Sequence, residues 1–137
     1  MVRKLKFKRV LIAEDNDIVR EILAIVLGNL RCEVETVADG MAALEKISQR
    51  DFSLVLTDLQ MPKINGLQVG YVAKKKNPGT FVILMTGYAE ELRKEEARMV
   101  PREVGATYDR LLKKPITLRQ LSAEIQASEK IAFSLTN

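Results

Sequence analysis

Short apolar runs alternate with segments of helical periodicity along the whole chain. Five runs, at residues 10–13, 33–37, 53–57, 81–85 and 110–112, predict β-strands. The segments that follow them carry apolar residues three and four positions apart, which predicts five helices. The expected buried stripes of the first two helices are Val19, Ile22, Leu23, Val26 and Leu30, then Met41, Leu44 and Ile47.

This alternation predicts an α/β fold. Short strands with nearly continuous apolar character are typical of a parallel sheet that helices cover on both faces. Five such units predict a three-layer, doubly wound (βα)5 domain with a five-stranded sheet of flavodoxin-like order 2-1-3-4-5. We expect one domain over residues 1–130, whose last helix spans 117–129 with Thr117 as its cap. Residues 131–137 are expected to form a C-terminal tail that extends this helix or packs beside it.

Length and apolar patterning exclude several classes of protein. A chain of 137 residues has room for one core of ordinary size. Its apolar runs are too short to span a bilayer or to form the core of a signal peptide. The single Cys32 has no partner for an internal disulfide. These features predict a soluble, cytoplasmic protein that does not insert into a membrane.

The net charge of +4 resides at the N-terminus. Five basic residues and no acidic ones occur within the first ten positions, namely Arg3, Lys4, Lys6, Lys8 and Arg9. The remaining residues therefore carry a net charge of −1, from +4 minus 5. Aromatic residues are few and are not interleaved with basic ones. Direct binding of nucleic acid is therefore not expected.

Charged residues follow the predicted strands at the points where they end. Glu14 and Asp15 follow the first strand, Asp58 follows the third, and Lys114 follows the fifth. The carboxyl ends of parallel strands lie at one edge of a sheet, so these groups should converge. Two like charges about 4 Å apart repel by roughly 4 kcal/mol at an effective dielectric near 20. A cation such as Mg²⁺, together with an ammonium group, would offset this repulsion.

The motifs at the strand ends resemble those of the receiver family of two-component signalling. They are Glu14-Asp15-Asn16 with Arg20, Asp58-Leu59-Gln60-Met61-Pro62 with Gly66, Thr86-Gly87, and Lys114-Pro115. The Asp-x-x-Met-Pro-x-x-x-Gly element is the most specific of these. The similarity extends from about residue 9 to residue 128, which covers nearly the whole expected domain.

The resemblance implies a role for each site residue. Asp58 would accept a phosphoryl group from a histidine kinase, a phosphotransfer protein or a small phosphodonor. Glu14, Asp15, Asp58 and the backbone carbonyl of Gln60 would bind Mg²⁺. Lys114 would pair with Asp58 and then with the phosphoryl group, and Thr86 would donate a hydrogen bond to it. The Lys114-Pro115 bond resembles one that is cis in this family. Such a protein is a phosphoacceptor and not a turnover enzyme.

The sequence departs from the family pattern near the fifth strand. An aromatic residue often stands three positions before the lysine, where this chain has Leu111, while Tyr108 lies six positions before it. Either Tyr108 acts from a shifted register or the Thr–aromatic relay is altered, and Lys113 is an alternative charge partner. Pro101 is expected to end the fourth helix. The resemblance implies output through the face formed by the fourth strand, fourth helix, fifth strand and fifth helix, toward a target protein or a second copy of this chain.

Two other functions compete with this interpretation. A Mg²⁺-dependent phosphatase similar to the haloacid dehalogenase family would also use a strand-end aspartate. That family needs a second aspartate two positions later, where this chain has Gln60. A receiver-like binding module that works without phosphorylation is the other alternative, and a missing Mg²⁺ response would favour it.

Overall fold

The fold is a parallel sheet of five strands. The structure is a computed structural model that describes residues 7–99 and 107–134. Its strands are β1 (Arg9–Ala13), β2 (Glu33–Val37), β3 (Leu54–Asp58), β4 (Phe81–Thr86) and β5 (Arg110–Lys113). They pair in parallel in the order β2-β1-β3-β4-β5. The predicted doubly wound fold and its strand order are therefore confirmed.

A helix follows each strand, with bounds close to the predicted ones. The helices are α1 (Asp17–Gly28), α2 (Gly40–Gln49), α3 (Gly66–Lys76), α4 (Ala89–Ala97) and α5 (Leu118–Ser134). Side-chain oxygens cap four of them: Asn16 on α1, Asp39 on α2, Asn65 on α3 and Thr117 on α5. These caps satisfy first-turn N–H groups that have no partner inside a helix.

The central strands form the core of the molecule. Every residue of β3 and β4 is buried, whereas the edge strands β2 and β5 are partly exposed. Side chains alternate between two layers, since Val10 and Ile12 face α1 and α5 while Leu11 and Ala13 face α2 and α3. Helices thus cover both faces of the sheet, as its continuous apolar strands predict.

The strand register determines which residues meet at the carboxyl edge of the sheet. Ala13 lies beside Thr57, and Asp58 lies beside Met85. The residues that follow β1, β3 and β4 therefore all lie at the carboxyl edge of the sheet. Glu14 follows β1 there, close to the end of β3. Lys114 follows β5, and its backbone N–H donates to the carbonyl of Thr86 over 2.8 Å.

The buried faces of α1 and α2 differ from the predicted stripes. Leu23 and Leu27 are the buried residues of α1, whereas Ile22 is 45% exposed. In α2 the small Ala43 lets the helix approach the sheet, and Met41 is 54% exposed. The assignments of Ile22 and Met41 to the buried faces were therefore wrong. Helical spacing locates an apolar arc but does not decide which part of that arc packs against the sheet.

The described part of the expected tail extends the last helix, which is one of the two arrangements predicted for it. α5 continues through Ser134, so the first four residues of the expected tail are helical. The ring of Phe133 lies 5.4 Å from that of Phe7 and so packs against its own domain. Leu135, Pro101 and residues 102–106 lie outside the described residues. Among the described helices, none is both long and apolar enough to cross a bilayer.

Candidate functional site

The carboxyl edge of the sheet holds a crevice of about 1060 Å³. All six residues proposed from the sequence line this crevice: Glu14, Asp15, Asp58, Gln60, Thr86 and Lys114. They come from the ends of β1, β3, β4 and β5, which are separate parts of the sequence. Parallel pairing in the observed order is what brings them together.

Three carboxylates form the acidic part of the crevice. Glu14, Asp15 and Asp58 each place a carboxylate oxygen within 4.8 Å of the others. Glu14 is fully buried, Asp58 is 7% exposed and Asp15 faces solvent. Such a group of hard oxygen donors suits a divalent cation.

Lys114 supplies the ammonium group of the site. Its Nζ lies 2.5 Å from Glu14 Oε1 and 3.4 Å from Asp58 Oδ1. The Lys114-Pro115 bond is cis, as the resemblance implies. Lys113 is exposed and lies beside Thr86 in the sheet, so Lys114 rather than Lys113 contacts the carboxylates.

The electrostatics of the site affect Asp58 most. Burial, followed by the negative charge of Glu14, raises the pKa of Asp58 to about 7, although Lys114 acts in the opposite direction. Burial lowers the pKa of Lys114, but its hydrogen bond to Glu14 and the charge of Asp58 outweigh burial and raise this pKa. The site therefore favours the charged form of Lys114, whereas burial and the neighbouring acid disfavour the charged form of Asp58.

The hydroxyl group of Thr86 is buried at the edge of the crevice. Its Oγ1 donates to the backbone carbonyl of Tyr88 and accepts from the N–H of the same residue, both over 3.2 Å. These are hydrogen bonds within one turn of the chain. A stronger acceptor in the crevice could therefore attract the hydroxyl proton without disrupting the sheet.

Several supporting residues had no role in the site assigned from the sequence. Arg20 Nη1 donates to the carbonyl of Glu14 over 2.9 Å, and the N–H of Asn16 donates to Glu14 Oε2 over 3.1 Å. A Cβ on Gly66 would lie 2.3 Å from the carbonyl oxygen of Asp58, so glycine lets α3 begin against this residue. Motif spacing singled out all three residues, but it did not indicate their contacts.

One wall of the crevice is apolar and was not predicted. It consists of Val19, Ile22 and Leu23 from α1 with Ile116, Leu118 and Leu121 from β5–α5. The apolar spacing of α1 pointed to these residues, but it did not show that Ile22, which is 45% exposed, faces the crevice. Ile22 was expected in the core and instead forms part of this wall.

The position of the missing aromatic residue is occupied by an exposed leucine. Leu111 pairs with Leu84 in the sheet and is 41% exposed. Tyr108 precedes β5 and packs against the apolar clusters under α3 and α4. Burial, and then the charge of Glu96, raises the pKa of its hydroxyl. Tyr108 thus packs against apolar residues of α3 and α4, and Leu111 stands two positions before Lys113, the residue that pairs with Thr86 in the sheet.

Known proteins match this chain in both sequence and fold. The family model of the response regulator receiver domain matches residues 10–126. The response regulator receiver protein CpdR of Brucella abortus is 31% identical over 119 residues, which cover 87% of this chain and 94% of that protein. A CheY-like receiver domain protein from Methanospirillum hungatei has a TM-score of 0.79 at 27% identity, with 94% of this chain and 98% of that chain covered.

Some relatives are longer than this chain. The transcriptional regulatory protein CpxR homolog of Haemophilus influenzae is 31% identical over 94% of this chain, which corresponds to 53% of that protein. The family match itself covers most of this chain and includes the ends of β1, β3, β4 and β5. The chain therefore belongs to the response regulator receiver domains of two-component signalling.

Proposed function

We propose that this chain accepts a phosphoryl group on Asp58 in a Mg²⁺-dependent reaction and thereby switches a protein-binding surface. One observation carries the proposal. The nearly buried carboxylate of Asp58 lies within 4.8 Å of carboxylate oxygens of Glu14 and Asp15 and 3.4 Å from the ammonium of Lys114. A lone structural aspartate would not need two further acids beside it, since their repulsion destabilises the fold.

The donor set fits Mg²⁺. Glu14, Asp15, Asp58 and the backbone carbonyl of Gln60 would hold the ion, which prefers oxygen ligands and keeps room for phosphate oxygens. Both carboxylate oxygens of Glu14 already accept hydrogen bonds, from Lys114 and from the N–H of Asn16. Asp15 and Asp58 are therefore the more available carboxylates. When bound, Mg²⁺ would neutralise the acidic cluster and the charge on the phosphoryl oxygens.

The residues of the site would divide the chemistry among them. A carboxylate oxygen of Asp58 attacks phosphorus, a new O–P bond forms, and the N–P bond of the phosphohistidine breaks with its electron pair on the imidazole nitrogen. Lys114 stabilises negative charge on the phosphoryl oxygens. Thr86 exchanges its hydrogen bond to the Tyr88 carbonyl for one to the phosphoryl group.

The partners follow from this chemistry. The phosphodonor would be a sensor histidine kinase or a phosphotransfer protein. The output surface would be the β4-α4-β5-α5 face, where Tyr88, Leu111 and Leu118 are exposed apolar side chains beside the charged α4. A target protein or a second copy of this chain would cover them. Light scattering with and without beryllofluoride, a phosphoryl mimic, distinguishes these two occupants.

The direct test is incubation with acetyl phosphate and Mg²⁺, followed by intact-mass spectrometry. We expect a gain of about 80 Da, the mass of one phosphoryl group, that EDTA prevents. Asp58→Asn should not acquire it, whereas Asp51→Asn, a change at an exposed carboxylate elsewhere, should. An adduct that persists in Asp58→Asn, or no adduct in the wild type, overturns the proposal. The second result would favour a binding module that works without phosphorylation.

A further inference from the structure

Among the described residues, few side chains hold helix α4 to the domain. Within its nine residues only Leu92 is buried, in a small cluster with Leu59, Leu67 and Leu84. In the described part of the chain, one side-chain hydrogen bond ties α4 to a neighbouring element. Asn65 Nδ2 donates to Glu95 Oε2 over 2.8 Å, and the other carboxylate oxygen of Glu95 accepts from Arg98, the C-cap residue of α4.

Asn65 belongs to the segment that connects the phosphoacceptor to α3. Its Oδ1 accepts from the N–H of Gln68 over 2.9 Å, and its N–H donates to Gln68 Oε1, which forms a capping box. The segment begins immediately after Asp58 and contains Gln60, whose carbonyl is a proposed metal ligand. Only four residues separate Gln60 from Asn65, so a shift of the backbone at Gln60 has little chain in which to fade before it reaches Asn65.

The aromatic residue of β5 that could otherwise link the site to α4 is absent from this chain. At the β5 position where the family often has an aromatic ring, Leu111 is short and partly exposed. A leucine cannot make the ring contacts or the hydroxyl contact of a tyrosine. Instead, the hydrogen bond from Asn65 to Glu95 joins the segment after Asp58 to α4. The side chain of Glu95 is half-buried, so water screens this contact only partly.

We propose that the Asn65–Glu95 hydrogen bond transmits the state of the Asp58 site to helix α4. The nature of that state, Mg²⁺ with a phosphoryl group, rests on the proposed function. Thermodynamic linkage is reciprocal. If ligand binding at the Asp58 site changes the stability of α4, a change in how α4 is held must also change the affinity of the site for that ligand. The proposal is therefore testable from both ends.

The test is a double-mutant cycle that reverses the direction of the hydrogen bond. Asn65→Asp keeps the oxygen that caps Gln68, removes the donor to Glu95 and places a second negative charge against it. Glu95→Gln keeps an acceptor for Asn65. In the double variant the new amide at position 95 can donate to the new carboxylate at position 65, so the contact is restored with opposite polarity. Glu91→Gln is the matched control, because Glu91 pairs with Lys94 on its own helix.

Hydrogen exchange of α4 amides is measured first without ligand. We expect Asn65→Asp to lower α4 protection about tenfold while α3 stays protected, and the double variant to recover most of that loss. Glu91→Gln should resemble the wild type. Additive effects of the two substitutions, or equal loosening of α3 and α4, overturn the inference. This part of the test does not require Asp58 to be phosphorylated.

The second measurement is calorimetric affinity for beryllofluoride with Mg²⁺. We expect Asn65→Asp to change it about fivefold or more relative to the wild type, with recovery in the double variant. Unchanged affinity in Asn65→Asp, with normal acetyl phosphate labelling of Asp58, overturns the inference and leaves the proposed function in place. Absence of labelling in the wild type overturns the proposed function, whereas the exchange cycle still tests the contact.

Discussion

Helices α3 and α4 leave the same edge of the sheet after adjacent strands, yet the domain holds them very differently. α3 buries Gly66, Leu67, Val69, Gly70 and Ala73 and begins with a capping box. α4 buries only Leu92, and its first residue follows Tyr88, whose side chain makes no capping hydrogen bond in the described structure. The α3 side thus fixes the backbone that carries Asp58. The α4 side is held by interactions weak enough for a few new charge-assisted hydrogen bonds to outweigh them.

The strongest test of this difference is Gly66→Ala on the α3 side. The added Cβ would lie 2.3 Å from the carbonyl oxygen of Asp58 and 2.8 Å from Leu84 Cδ1, so the backbone or the core must shift. We expect the free energy of unfolding, measured in urea, to fall by about 3 kcal/mol.

Gly28→Ala is the control for this substitution. A Cβ there would meet nothing within 4 Å, and the helix should gain up to about 1 kcal/mol from the better propensity of alanine. A Gly66→Ala protein within about 1 kcal/mol of the wild type would show that α3 does not depend on this close approach to Asp58.

Truncation of one leucine on each helix compares the two sides directly. Leu67 and Leu92 belong to the same small cluster, and both are buried. We expect Leu67→Ala to lower the free energy of unfolding by about 3 kcal/mol and Leu92→Ala by about 2, since α4 can relax into the space that it vacates. Equal losses in urea denaturation would contradict the view that α4 is the more adaptable helix.

The pH dependence of stability tests how much the ionised carboxylate of Asp58, at the end of the strand before α3, destabilises the folded protein. The pKa of Asp58 is about 7 in the folded protein against an ordinary value near 3.8. Between these values the folded protein binds more protons than the unfolded chain, so stability falls as pH rises. Without metal, the contribution of Asp58 should lower the free energy of unfolding by about 2 kcal/mol between pH 5 and pH 8.

Asp58→Asn isolates that contribution. The variant lacks the titrating carboxyl and should be the more stable protein at pH 8, while excess Mg²⁺ should reduce the difference. Urea denaturation at several pH values measures both effects. Identical pH dependence in the wild type and in Asp58→Asn would show that burial and the charge of Glu14 do not raise the pKa of Asp58 in the folded protein.

Strand identity and strand-end chemistry were predictable from sequence because each depends on local patterns. The run that became β4 is apolar from Phe81 to Met85 and that of β3 from Leu54 to Leu56, and such runs fit strands buried on both faces. Once the sheet order is given, the positions of Asp58 and Lys114 follow from register alone. This is why the predicted site residues line one crevice.

Features that depend on the packing of particular side chains were not predictable in this way. Ile22 has the helical spacing of a core residue, but α1 presents it to the crevice because Leu23 and Leu27 already fill the space against the sheet. The contact between Asn65 and Glu95 joins residues 30 apart in the sequence, and no local pattern relates them. α4 has only one buried residue, so its periodicity contains little information about its neighbours.

The smallest expected effect comes from supplying α4 with the cap that it lacks. Tyr88 is 69% exposed and has extended backbone angles, so Tyr88→Ser should place a hydroxyl oxygen near the first-turn N–H groups of α4 with little loss of packing. Tyr88→Ala is the matched control, since it removes the ring without adding an acceptor. We expect the serine variant to exceed the alanine variant by about 0.5–1 kcal/mol in α4 stability, measured by hydrogen exchange of its first turns. The global free energy of unfolding should hardly differ between them, because a sparsely attached helix opens locally before the sheet unfolds. If the two variants exchange alike in α4, the helix is held by contacts other than those described, and its contrast with α3 is weaker than their burial indicates.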